Sequence, residues 1–124
     1  MAITASCCKR NDAVALEKYT ATGTFSVGLG DRPGEKVIIL VENNSTYSGA
    51  TATVEVLAGD YLANVYGTLS VDVEKGSSAI IGPLETVRYK NTASEVACAI
   101  SFGSTASSAG GTITDVKTAV IKLP

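Results

Sequence analysis

The sequence predicts one domain built as an antiparallel β-sandwich, preceded by a short N-terminal arm. Three observations predict it. The chain has 124 residues, enough for one domain with its own apolar core. Short runs of alternating apolar and polar residues recur at a spacing of about 10–15 residues, separated by Gly, Pro, Asn and Ser turns. After residue 20 no stretch carries the 3.6-residue periodicity of a helix.

Residues 1–19 read differently from the rest. ASCCKRNDAVALEKYT shows no strand alternation, and Asp12 is placed to cap one short turn of helix over Val14, Ala15 and Leu16. Such a turn is too short to stand alone. The segment is therefore expected as an arm lying on its own body or on a neighbour, with the sandwich occupying residues 20–124. Val14, Leu16 and Tyr19 are its apolar anchors, and Lys9 and Arg10 its only concentrated charge.

The first strand is expected over residues 22–27, with Phe25 and Val27 on one face and the GLGDRPG turn after it. KVIILVE (residues 36–42) is a near-continuous apolar run of strand length, the mark of a central strand covered on both faces. NNSTYSG is a turn-rich connection. ATATVEVL (residues 50–57) alternates strictly, placing Ala52, Val54 and Val56 on one face. AGDYLANVYG is a loop carrying Tyr61 and Tyr66.

Leu69, Val71 and Val73 then alternate with Ser70, Asp72 and Glu74 in a half-buried strand. Lys75-Gly76 turns the chain into residues 78–81, and Gly82-Pro83 is expected to end that strand, because proline cannot donate to a ladder. Residues 86–90 and 96–102 read as a hairpin around NTAS, with Arg88 and Lys90 on its solvent face. GSTASSAGG is a low-complexity loop, and residues 112–123 form the last strand. The total is about seven or eight strands. Val37, Ile39, Val41, Val54, Val56, Leu69, Val71, Val73, Ile100 and Val120 are the predicted core.

Composition narrows the function. Hydrophobic residues make up 45% and charged residues 18%, ordinary for a globular chain, and the net charge of −2 offers no general attraction to nucleic acid or anionic membrane. The longest apolar run is far too short to span a bilayer. The first residues lack the basic start and apolar run of a secretion signal, so synthesis in the cytoplasm is expected. Cys7, Cys8 and Cys98 have no CxxC spacing for zinc. All three are expected as reduced thiols, Cys98 as a small buried hydrophobe in a strand.

The chain contains no His, which removes the commonest general base and metal ligand together. GLGDRPG lacks the GK[ST] ending of a phosphate loop, and no helix follows it. Asp31, Glu35 and Asp60 do not follow the calcium-loop order. Nothing singles out a catalytic pair among Asp60, Asp72, Glu74 and Glu85. Cys7 and Cys8 stand beside Lys9 and Arg10, which depress a thiol pKa, but no base accompanies them. No enzyme, cofactor or metal is expected.

What remains is contact chemistry. Tyr47, Tyr61 and Tyr66 all fall in loops, where a tyrosine supplies large contact area at low entropic cost. Arg88 and Lys90 stand on either side of Tyr89. With Lys9, Arg10, Val14, Leu16 and Tyr19 of the arm, these residues are the candidate protein interface. The absence of Trp, the favoured sugar-stacking residue, counts against a carbohydrate-binding or adhesion module.

The order of motifs carries a resemblance. A MAIT start is followed by an apolar strand closing in VEN, then TATVEVLAGD, LSVDVEKG, IGPLETVRYKN and a final VIKLP. Over most of residues 20–124 this resembles small β-rich virion structural proteins of tailed bacteriophages. The resemblance implies a non-enzymatic capsid decoration protein that stabilises the head by binding the outer surface of the major capsid protein shell. It would act in many copies in the virion, with a trimer as the first expected homo-oligomer. Arg88 and Lys90 would then meet an acidic patch on the shell. The alternative within the same group is a head-to-tail connector or tail-tube component, assembling as a ring.

Overall fold

A computed structural model describes residues 2–29, 37–46, 50–61, 67–102 and 113–123. They form an all-β sandwich of two facing sheets, as the alternation predicted. Ten strands are present among the described residues: β1 (Ala2–Ile3), β2 (Ser6–Cys7), β3 (Tyr19–Thr20), β4 (Thr24–Gly28), β5 (Val37–Asn43), β6 (Ala52–Val56), β7 (Leu69–Val73), β8 (Ser78–Leu84), β9 (Glu95–Phe102) and β10 (Val116–Lys122). A single helical turn, α1 (Thr86–Tyr89), follows β8, and a 3-10 turn (Ile113–Asp115) leads into β10.

The first sheet has the order β1-β4-β9-β6-β7. The second runs β2-β10-β5-β8, with β3 also on β10. Since β5 pairs with β10 from Val116 to Lys122, β2 and β3 share the other edge of β10. All pairings are antiparallel except β1 with β4 and β2 with β10, which are parallel. The sheets are thus mixed.

The segment expected as an arm is built into both sheets. β1 lies on the edge of the first sheet and β2 on the edge of the second, so the chain crosses the side of the sandwich at Thr4 and Ala5. Ile3 is only 4% exposed and belongs to the core. Ile3 is the one large aliphatic side chain in a run otherwise of Ala, Thr, Ser and Cys, which supplies no clear alternation, and this is why the sequence pattern hides these strands. Residues 9–18 match the expectation better: every one is exposed. No helix forms behind Asp12, whose Oδ1 accepts from the adjacent Ala13 N–H at 2.9 Å.

At the opposite side the chain crosses between sheets again, where β7 turns at Lys75-Gly76 into β8. Asn43 reinforces this corner. It is buried at the end of β5 and donates through Nδ2 to the carbonyls of Ala50 (2.7 Å) and Val73 (2.9 Å). Its Oδ1 accepts from Ser45 N–H at 3.2 Å.

Eight of the predicted core residues are buried, and Leu69 and Val71 pack against the core half-buried. Cys98 is buried in β9, as expected. Burying each such aliphatic side chain contributes about 1.5–3 kcal/mol. β5 departs from expectation: Val37, Ile39 and Val41 are buried, but Ile38, Leu40 and Glu42 are half-exposed. The strand is central in its sheet, yet its second face is the outer face of the sandwich. Gly82-Pro83 does not end β8. The strand passes through it with a register shift, Ile81 opposing Ile39 and Leu84 opposing Val37. An edge strand tolerates a missing N–H and a bulge.

Candidate interaction surfaces

Residues 86–90, expected as a strand, instead make α1. The carbonyl of Glu85 accepts from Arg88 N–H (3.0 Å) and Tyr89 N–H (3.3 Å), closing one helical turn. This rotation buries Tyr89 in the core while leaving Arg88 and Lys90 half-exposed. A flat strand would have kept Val87 and Tyr89 on one face. The burial of Tyr89 and the lone bridge of Lys90 with Val96 are what the alternation did not reveal.

The loop after β6 lies against α1. Gly59 N–H donates to the Arg88 carbonyl at 3.0 Å and Asp60 N–H to the Lys90 carbonyl at 3.2 Å. Asp60 also accepts from Thr92 N–H through Oδ2 at 2.7 Å. Gly59 makes this approach possible, because a Cβ there would stand 2.7 Å from the carbonyl carbon of Tyr89. The result brings Tyr61 to Lys90, whose Nζ is 5.8 Å from the ring centroid. The Arg88 guanidinium stands 4.9 Å from the ring centroid of Tyr89. Both distances are within the range of cation–π attraction.

Beside this cluster is a cleft of about 270 Å³ lined by Leu69, Gly82, Pro83, Leu84, Glu85, Arg88 and Tyr89. It lies between the start of β7 and the end of β8, under α1. Its lining is mixed: apolar side chains at the walls, with Glu85 and Arg88 supplying opposite charges. Among the described residues no group of three or more His, Cys, Asp or Glu side chains is placed to hold a metal ion.

The second surface is the strap between β2 and β3. Residues 9–18 leave the edge of β10 at one end and return to it further along. Lys18 Nζ reaches Glu42 Oε1 on β5 at 2.9 Å, and Glu17 N–H donates to Ser6 Oγ at 3.3 Å. These contacts hold the end of the strap to the sheet. Its middle presents Val14 and Leu16 with 41% and 40% of their surfaces exposed, beside exposed Lys9 and Arg10. Tyr19 is half-buried against the core instead, its Oη accepting from Thr4 N–H at 3.4 Å.

The predicted interface residues therefore fall into two separate groups, one along β10 of the second sheet and one where the loop after β6 of the first sheet meets α1. Lys9, Arg10, Val14 and Leu16 flank β10. Tyr61, which is 56% exposed, Arg88 and Lys90 stand near the end of β8. Tyr47 and Tyr66 lie outside the described residues, as do Asp31 and Glu35. Sequence reasoning missed the cleft and the exposed Ile80, because neither has a local signature.

No protein-family model matches this chain, and no curated protein or solved structure shows significant similarity to it.

Proposed function

We propose that the protein is a non-enzymatic binding module that decorates the outer surface of a tailed-phage head by contacting the major capsid protein. The observation that carries this reading is the strap. Val14 and Leu16 are presented to solvent on a segment whose two ends are pinned to the sheet. Two exposed apolar side chains on a segment with two adjacent cations support a contact role over a core one. Ordering such a strap against a partner has a reduced entropic cost because its ends are already fixed. The resemblance in motif order is the ground for naming the major capsid protein as the partner, and the Tyr61–Lys90–Arg88 cluster would offer a second point of contact with acidic groups on the shell.

The test is co-sedimentation with emptied capsids built from the major capsid protein encoded with this chain, followed by negative-stain microscopy. Shell-wide density that disappears when Val14 and Leu16 are both changed to Ser supports decoration. Density at a single vertex assigns the protein to the head-to-tail connector instead. Absence of binding by the native chain overturns both.

A further inference from the structure

Residues 2–8 are docked on the sandwich as a tethered peptide would be. β1 adds to the edge of β4, with Ala2 opposite Ser26 and Ile3 opposite Val27. β2 adds to the edge of β10, with Ser6 opposite Ile121 and Cys7 opposite Lys122. Cys8 N–H extends this second ladder by donating to the Lys122 carbonyl at 2.8 Å. Ile3 fills a core position at 4% exposure. These contacts all join residues 2–8 to residues beyond 23, so none of them depends on the course of the chain through residues 9–18.

The tether reverses direction at Arg10 and Asn11 and returns to set Glu17 N–H against Ser6 Oγ at 3.3 Å. Asn11 makes that reversal with a φ of 55°. This is the left-handed region, which a residue bearing a Cβ occupies at some cost even when it is asparagine. Residues 9–18 are all exposed, so straightening the reversal uncovers no buried side chain of the tether. A straightened tether carries residues 2–8 away from their own body and leaves the same edges and the same Ile3 site open to an identical segment.

We propose that residues 2–8 exchange between copies of this chain. The segment of one copy adds to β4 and β10 of a second, Ile3 fills that copy's core, and Arg10-Asn11 is the hinge. The occupant follows from the pairing itself: the register and the aliphatic site are those of AITASCC, which a second copy carries residue for residue. Closed and exchanged forms share every docking contact, so the hinge and the concentration decide between them. A tethered segment meets its own groove at an effective concentration on the order of millimolar. Exchange therefore emerges when copies approach that density, in concentrated protein or side by side on a surface. The smallest closed product is a reciprocal dimer. The exchange does not involve the contacts made by Val14 and Leu16, and it stands independently of capsid binding.

The test mixes two full-length variants, Ala2→Cys and Ser26→Cys. These positions are register partners, so their thiols meet between chains only when the segment of one copy lies on the body of the other. The mixture is unfolded and refolded at about 1 mM and at about 10 µM, then oxidised with copper phenanthroline, and the linked peptides are identified by mass spectrometry. A disulfide joining the two introduced thiols is expected, with a yield several-fold higher from the concentrated sample. Asn11→Gly, which relaxes the turn, should lower that yield several-fold, and Asn11→Pro, which forbids a positive φ, should raise it. The double variant Ala2→Cys/Ser26→Cys, oxidised as a dilute single chain, should close internally and so checks the register. Failure of the mixed chains to link, a double variant that does not close, or yields indifferent to both Asn11 substitutions overturns the proposal. Linkage between chains that do not bind capsids upholds exchange and overturns the decoration reading alone.

Discussion

Asn43 and Val73 join the two sheets through a single buried hydrogen bond, Nδ2 to carbonyl at 2.9 Å. The asparagine closes β5 of the second sheet, and the valine closes β7 of the first. The same amide also holds the Ala50 carbonyl, so one side chain fixes the corner at which the chain passes between layers. Removing it strands two buried acceptors, and each orphaned group costs about 1–3 kcal/mol. Asn43→Ala is expected to destabilise the protein by about 2–4 kcal/mol, read as a lower urea midpoint with an unchanged slope. A loss under about 1 kcal/mol means that the sheets are joined by apolar packing alone.

The first seven residues are expected to be structural. Ile3→Ala removes a buried aliphatic side chain from the core and should cost about 2–5 kcal/mol. By contrast Val14→Ser and Leu16→Ser, in the exposed strap, should change stability by no more than about 0.5 kcal/mol. Thermal denaturation of the three variants separates the roles. Equal melting temperatures would show that β1 is dispensable.

Cysteine accessibility should split by position. Burial in β9 pushes the Cys98 thiol up to about 12 from its ordinary 9.0, whereas Cys7 is exposed. At neutral pH the native protein should lose Cys7 to an alkylating reagent while Cys98 stays unmodified until the chain unfolds. The linkage has a defined sign. The folded state favours the protonated thiol, so its contribution is complete below pH 9 and is lost as pH rises toward 12. Cys98→Ala should therefore flatten the decline in stability across that alkaline window. Mass spectrometry after a timed alkylation reads the first outcome and denaturant titration the second.

Gly59→Ala should damage the Tyr61–Lys90 surface from beneath. The added Cβ meets backbone atoms of Tyr89 and Lys90, the nearest amide nitrogen at 2.8 Å, and backbone cannot rotate aside as a side chain can. A loss of about 1–3 kcal/mol is expected from such overpacking, together with weaker capsid binding. Unchanged melting and binding would place the loop elsewhere.

The sequence by itself determined the sandwich class and most of the interior. A strand's side chains alternate with period two, so Val54 and Val56 could be assigned inward from their neighbours alone. The same rule placed Phe25 and Val27 on one face, and the apolar character of a free thiol placed Cys98 inside. It failed where tertiary contact outweighed the local pattern. Residues 86–90 alternate like a strand, yet burial of Tyr89 and the close backbone at Gly59 stabilise a helical turn there. Ala2, Ile3, Ser6 and Cys7 lack alternation, yet edges of β4 and β10 recruit them, since an open edge offers backbone hydrogen bonds to any sequence. Residues 81–84 hold a break signal that an edge strand absorbs as a bulge. The exposed groups were legible as residue types, because Lys, Arg and loop Tyr are seldom buried. Their division into two separate groups, one along β10 and one where the loop after β6 meets α1, was not legible. That depends on which strands pair, and strand pairing is set by contacts between residues far apart in the chain.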